Sequence, residues 1–426
     1  MASSPVKMEF SKRCPYIGCG ETMDDEAASL DRLCSHCGAG ITMCAACHAA
    51  NRLLAGYCRG CGAGLGAEIW PCHPGLRTAT FRSSISSIKK ARVGFPVHLG
   101  RQAIASPLAV SGLLIVSLAD GSIDLLSEHT GRRLGRLGVP EEIVVTPAMH
   151  AGRLFVAAGR KVYCHDLARY LDQSSDTNGK PVWSCGLGGG SAAHPALVDE
   201  RTVYLASQDG ETTTLHALSQ EDGSAIWDDA PRFECGPTAP PLLVNDQIVV
   251  ISLSGEAFLV NLASGTIEQT FPMRREVEPQ VAPFVADNRI ILADKRHCVF
   301  EIVLNSSDGP SINELHAMRA RVTSLAAADD FIVAGHLSGL TLLDRRGHQR
   351  WSADDIDPVS VTPIVAGDTV FALDDAGNGL LFNALKSNPV GKVRLFGGEV
   401  GPPPLITRTS IAAVSAAGDV VAIEWQ

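Results

Sequence analysis

The chain has 426 residues, 45% hydrophobic and 19% charged, with 41 glycines and 24 prolines; this is a globular composition with apolar surface for a sizeable core, and it excludes a mainly disordered chain, a collagen and a coiled coil. Against 36 Lys+Arg stand 46 Asp+Glu, a net charge of −10, which excludes a generic nucleic-acid binder at the level of the whole molecule. The charge is uneven: residues 1–92 carry 11 basic and 7 acidic side chains, or +4, and the remainder carries −14.

The first twelve residues contain no apolar h-region and no lipobox-like cysteine, so no secretory signal is read there. The longest uncharged apolar-rich run, 102–119, contains Pro107 and Gly112 and ends at Asp120. A membrane-crossing helix needs about 20 apolar residues, so this run is read as buried strand and no membrane association is expected. Nine of the 13 cysteines precede residue 73. Paired cysteines without an export signal point to metal ligation rather than disulfides, and to the cytoplasm.

Eight of those nine form four pairs in order: Cys14-x4-Cys19, Cys34-x2-Cys37, Cys44-x2-Cys47 and Cys58-x2-Cys61. Two cysteines this close can offer both thiolates to one ion from a tight turn, and two such knuckles complete a tetrahedral sulfur site suited to zinc. Glycine follows Cys19, Cys37 and Cys61, where a knuckle needs a left-handed backbone position. The segments 33–41 (LCSHCGAGI) and 57–65 (YCRGCGAGL) are nearly the same phrase. The pattern resembles the double zinc ribbon family. The resemblance implies one structural zinc on Cys14, Cys19, Cys34 and Cys37 and a second on Cys44, Cys47, Cys58 and Cys61. The four-residue gap in the first knuckle departs from the family's usual two. A cross-braced, RING-like pairing fits less well, since no ordered Cys-His-Cys series follows. Four sulfurs per ion leave no open coordination position, so the ions are expected to be structural, and in so small a unit they supply the folding energy. Cys72 and His73 stay outside this scheme and are read as a surface turn, with a spare ligand pair as the alternative.

The zinc-ribbon domain is therefore placed at 1–66. Residues 67–91 are read as a flexible linker, serine-rich and basic over 83–90 (SSISSIKK). From there a phrase recurs: a small residue or proline, an apolar strand, a turn, a second strand, a Gly or Asp-Gly turn, and two further strands. Its starts fall at Pro107, Pro147, Pro195, Pro241, Pro283, Leu325, Pro363 and Pro404. Short strands at even spacing, about 42 residues per copy, indicate a β-propeller with one four-stranded blade per repeat. The last copy has room for three strands only. Residues 92–99 read as the missing fourth, closing the ring and removing its free edges. The expected fold is thus all-β: an eight-bladed propeller over 92–426 preceded by a small double zinc ribbon.

Three copies carry tryptophan on the fourth strand, in 222–227 (DGSAIW), 181–183 (PVW) and 346–351 (RGHQRW). These repeats resemble the PQQ-like propeller repeats of quinoprotein dehydrogenases and of the outer-membrane assembly lipoprotein. In that family the tryptophan packs against the neighbouring blade. The resemblance implies the fold and does not by itself imply the chemistry. A quinone site usually brings a vicinal disulfide; no Cys-Cys pair occurs, and Cys164, Cys185, Cys235 and Cys298 fall in separate blades. Neither pyrroloquinoline quinone (PQQ) nor any catalytic residue is expected. The segment 335–339 (GHLSG) puts serine in the wrong place for a nucleophile elbow. The segment 186–190 (GLGGG) opens no helix, and reads as an inter-blade loop rather than a phosphate loop. The acid pairs Asp329-Asp330, Asp354-Asp355 and Asp374-Asp375 read as turn chemistry, with an acidic docking face as the alternative.

The function expected is a non-enzymatic cytoplasmic scaffold gripping protein partners through the ribbons and the propeller faces. By analogy with bacterial proteins that carry double zinc ribbons, a signalling or stress-response complex is its setting. The alternatives are nucleic-acid binding through the basic head, and a small-ligand sensor or divergent quinoprotein-like enzyme using the central channel. Nothing in the sequence specifies a partner's identity or an oligomeric state.

Overall fold

In the computed structural model the described residues are Cys14, 31–33, 40–44, 49–52, 91–110, 113–128, 130–167, 170, 179–244, 246–286, 289–304, 309–328, 330–406 and 410–425. The first strands, β1 (Asp31–Leu33), β2 (Gly40–Met43) and β3 (Ala50–Arg52), form a three-stranded antiparallel meander. β4 (Ala91–His98) opens the main body.

The rest is an eight-bladed, all-β propeller. Blade 1 is the antiparallel sheet Leu108–Val110, Leu113–Ser117, Ser122–Ser127, Arg133–Gly138 in chain order. Blades 2 to 7 repeat it over 148–186, 191–234, 242–272, 284–317, 322–353 and 364–394. Blade 8 takes three strands from 405–425 and its fourth from β4, which pairs antiparallel with Asp419–Trp425 in the register His98↔Asp419 and Val97↔Val420. A bulge lies between Val421 and Ile423, and the His98 Nδ1 sits 2.7 Å from Asp419 Oδ1 across the strands. The first strands of successive blades touch one another, so they line the ring's centre. The fourth strands form its rim, as the exposed run Ile267–Pro272 shows.

Why apolar runs build this ring follows from the period of a strand. Successive side chains point to opposite faces of a blade, and both faces are covered by neighbouring blades. Leu113 and Ile115 pack against blade 2, while Leu114 and Val116 pack against blade 8. A strand inside a blade, such as Leu113–Ser117, therefore reads as a continuous apolar run rather than as an alternation. Each of the eight hydrophobic clusters is built from the facing sides of two adjacent blades.

Proline directly precedes the inner strand in blades 1, 2, 4, 5, 7 and 8, where its missing N–H ends the ladder. Blade 6 has no such proline, and its inner strand runs Val322–Ala327, so the start read at Leu325 falls inside it. In blade 3 the inner strand is split into Ser191–Ala192 and Leu197–Val198 around Pro195.

The tryptophans dock blade to blade. The Trp183 indole N–H donates to the Gln220 carbonyl (3.0 Å), Trp227 to Leu262 (3.2 Å) and Trp351 to Ala384 (2.9 Å), each in the next blade. Trp183 and Trp351 lie on outer strands; Trp227 precedes the outer strand Arg232–Glu234. Gly223 and Gly265, with φ of 75° and 74°, let the next blade's turn approach the Trp183 and Trp227 rings.

Candidate interaction surfaces

The eight cysteines expected to hold zinc divide by placement. Cys14 and Cys44 are buried, at 4% and 1% exposure. Cys19, Cys34, Cys37, Cys47, Cys58 and Cys61 lie outside the described residues, as do Cys72 and His73. The strands fix where the connections leave the sheet. Cys34 and Cys37 fall between β1 and β2, beyond the pair Leu33↔Gly40; Cys44 and Cys47 fall between β2 and β3, beyond Met43↔Ala50. The two connections leave opposite ends of β2, about 10 Å apart at 3.3 Å per residue. Cys44 N–H also donates to the Ala49 carbonyl (3.0 Å), closing the turn, and Asn51 Nδ2 donates to the same oxygen (2.7 Å).

Polar groups at the ring's centre join successive blades. Ser106 N–H donates to Thr146 Oγ1 (3.0 Å) and His194 Nε2 lies 3.2 Å from Thr238 Oγ1. Thr323 and Ser324 hydroxyls both donate to the Val359 carbonyl, at 2.7 and 3.0 Å. Glu278, buried, takes a bidentate pair from Arg321 Nε (3.0 Å) and Nη2 (2.6 Å). Burial pushes His194 down to about 4, so it stays neutral and bonds as a neutral ring. These groups act as inter-blade ties.

In blades 1 and 4 to 8 the turn between the second and third strands bonds to the segment entering the same blade. Ala119 N–H donates to Gln102 (2.9 Å), Lys295 to Glu276 (3.0 Å), Leu337 to Arg321 (3.1 Å) and Asp375 to Pro358 (2.8 Å). These turns and entering segments therefore share one side of the ring, the upper face. The chain enters β4 on the lower side, because β4 ends at His98 just before the upper-face segment into blade 1.

Charge on the upper face is sorted by sector. Around blade 5 stand Arg274, Lys295, Arg296 and Arg319, all exposed. Lys295 pairs with Glu276 (2.8 Å), and Arg275 pairs with Asp294 (2.9 Å) and with Glu314. Arg274, Arg296 and Arg319 form no ion pair among the described residues. Arg274 and His297 hold left-handed backbone, φ 58° and 66°, and Arg274, Arg275, Lys295 and Arg296 line a cleft of about 380 Å³ together with Glu276 and Asp294. Around blade 7 stand exposed Asp354, Asp355, Asp357, Asp375 and Glu399.

The acid pairs thus split between roles. Asp374 is fully buried and accepts bonds from the Asn378 backbone and side chain, which is turn chemistry. Asp375 accepts from Ser360 on the surface. Asp354 and Asp355 are both surface groups, Asp330 lies on the lower side, and Asp329 is outside the described residues. Sequence reasoning missed the buried carboxylates Asp124, Glu278 and Asp294, each matched to arginine at 9 to 43 residues' separation. A run of charge in the sequence carries no sign of such a pairing.

The remaining motifs are placed as follows. The segment 186–190 joins blade 2 to blade 3. His336 in 335–339 is buried with its Nε2 3.0 Å from Thr341 Oγ1. Cys164, Cys185, Cys235 and Cys298 are free, but not one to a blade as expected: Cys164 and Cys185 lie on paired neighbouring strands of blade 2, because the chain turns back between them; burial raises all four thiols, Cys164 to about 12. Among the described residues no helix is long and apolar enough to cross a membrane.

The chain resembles known proteins at this level of architecture. The PQQ_2 family model, described as outer membrane protein assembly factor BamB, matches residues 119–302. No protein of curated function matches in sequence. BamB from Moraxella catarrhalis superposes with a TM-score of 0.62 at 15% identity, over 79% of this chain and 98% of its own. Saccharomyces cerevisiae Sqt1 does so with a TM-score of 0.62 at 15% identity, over 78% and 98%. The quinohemoprotein alcohol dehydrogenase of Comamonas testosteroni gives 0.64 at 13% identity, over 83% and 80%. Similarity this distant carries the propeller fold, and its members differ in chemistry.

Proposed function

We propose that the protein is a non-enzymatic cytoplasmic scaffold that assembles protein partners on the upper face of its ring, with the cysteine-rich head as a second, zinc-bearing docking module. The observation that carries this reading is the division of polar groups. Those at the centre of the ring tie blade to blade, while upper-face turns and loops hold outward charges that form no ion pair among the described residues, Arg274, Arg296 and Arg319 among them. A rigid disc with charged loops suits docking. The match to a family described as an assembly factor points the same way.

In the head, Cys14, Cys19, Cys34 and Cys37 would hold one zinc, and Cys44, Cys47, Cys58 and Cys61 a second. Burial of Cys14 and Cys44 suits thiolate ligation, and the opposite exits from β2 suit two separate ions. Four thiolates each would leave the ions a structural role.

The test is affinity capture of the full chain from its native extract, with and without nuclease. Protein partners that survive nuclease support the scaffold. Partners lost with nuclease transfer the function to nucleic acid through the basic head. A blank capture together with a quinone absorbance band would replace the scaffold by a quinoprotein-like enzyme.

A further inference from the structure

The charge sectors of the upper face are related by position. The basic sector lies on blade 5 and the acidic sector on blade 7, one on each side of blade 6. The upper-face turn of blade 6 carries Leu337, a large apolar side chain left 51% exposed. A two-fold axis lying in the face, along the radius through blade 6, exchanges the positions of blades 5 and 7. It sets Arg274, Arg296 and Arg319 of one copy over Asp355, Asp357 and Asp375 of the other, and the reverse, while Leu337 meets its own counterpart on the axis. That is the self-complementarity a two-fold interface requires, with one patch serving both subunits. We propose that the upper face around blade 6 is a docking surface for a second copy of this chain, forming a face-to-face dimer.

The proposal goes beyond the scaffold reading and does not depend on it. The occupant follows from the arrangement. A foreign basic protein would use the acidic sector alone and a foreign acidic one the basic sector alone. A second copy uses both and covers Leu337 as well. Each chain carries −10 overall. At about 0.1 M salt the Debye length is about 10 Å, so the spread net charge is screened while facing groups still attract. At about 1 M it falls to about 3 Å and the facing pairs weaken too.

The experiment is sedimentation equilibrium on the full chain, 44.9 kDa as a monomer. At about 0.1 M salt the expected mass is twice that, with association weakened on the order of tenfold at about 1 M. R274E/R296E should be monomeric, and so should D355K/D357K. Their equimolar mixture should regain the doubled mass, because reversed charge then faces reversed charge. L337E, placing like charges together on the axis, should be monomeric as well. All five positions are exposed or lie in turns, so thermal melts of the variants should match the parent and show that folding is intact. A parent chain that stays monomeric at about 0.1 M overturns the proposal. So does a dimer that survives both charge-reversed pairs and L337E, or a mixture that stays monomeric.

Discussion

Trp227 stacks over the turn of the next blade, its ring 5.7 Å from Tyr204 on one side and Gly265 on the other. A β-carbon at Gly265 would lie 2.6 Å from the indole, and the backbone there is left-handed at φ 74°. Gly265→Ala must therefore displace the ring as well as strain the chain. Gly100→Ala is the internal comparison, with a similar φ of 73° and nothing within 4 Å of the added carbon. Gly100→Ala should cost about 1–2 kcal/mol, the strain alone. Gly265→Ala should cost about 1–3 kcal/mol more, the range for overpacking a filled site. Urea denaturation of both variants measures the difference; equal losses would show that the indole is not held against the turn.

At the scale of an element, the closing strand decides whether eight blades make a ring. β4 supplies the outer ladder of blade 8, and Val97 packs on the cluster shared by blades 8 and 1. Without it, Asp419–Trp425 is an unpaired edge and that cluster loses a wall. Deleting 91–98 should lower the melting temperature, broaden the transition and make the protein aggregate on heating. An unchanged, sharp melt would mean that seven blades and three strands close without it. The inner strands are also specified locally. Where proline precedes the strand, its start is visible in the sequence. In blade 6, where proline is missing, the ladder extends back to Val322, and only the pairing with Phe331–His336 shows it.

For the whole molecule, the two parts should respond separately to loss of metal. The ring's core is the set of apolar clusters between blades, and its four cysteines are dispersed and free. The head's cysteines are clustered, and a unit of its size lacks a core of its own. Chelation should release about two zinc ions per chain and leave the propeller's melting transition in place. Cys14→Ser and Cys44→Ser should each lose about one ion. A propeller transition that shifts with chelation would instead tie the ring's stability to the metal.

The eight-bladed propeller was legible because its causes are local. An apolar run bounded by proline and Asp-Gly is a strand whichever blade it joins, and eight such phrases at even spacing leave little else to build. The docking tryptophans were legible in part: Trp227 and Trp351 follow a turn signal, but Trp227 sits before the outer strand rather than on it. The buried pairs Asp124 with Arg133 and Arg136, and Glu278 with Arg321, were not. Their partners come from other strands or from the next blade, and charge reads as surface until those elements meet. The sorting of the upper face was hidden for the same reason. Arg274, Arg296 and Arg319 are separated along the chain by strands, and Asp375 is separated by two strands from the loop that carries Asp355 and Asp357. Only the closing of the ring brings each set onto one sector. What the amino-acid sequence determined by itself was the repeating strand and its turn, because those depend on neighbours in the chain. What tertiary structure decided was which charges face solvent together, because that depends on how the blades are stacked around the axis.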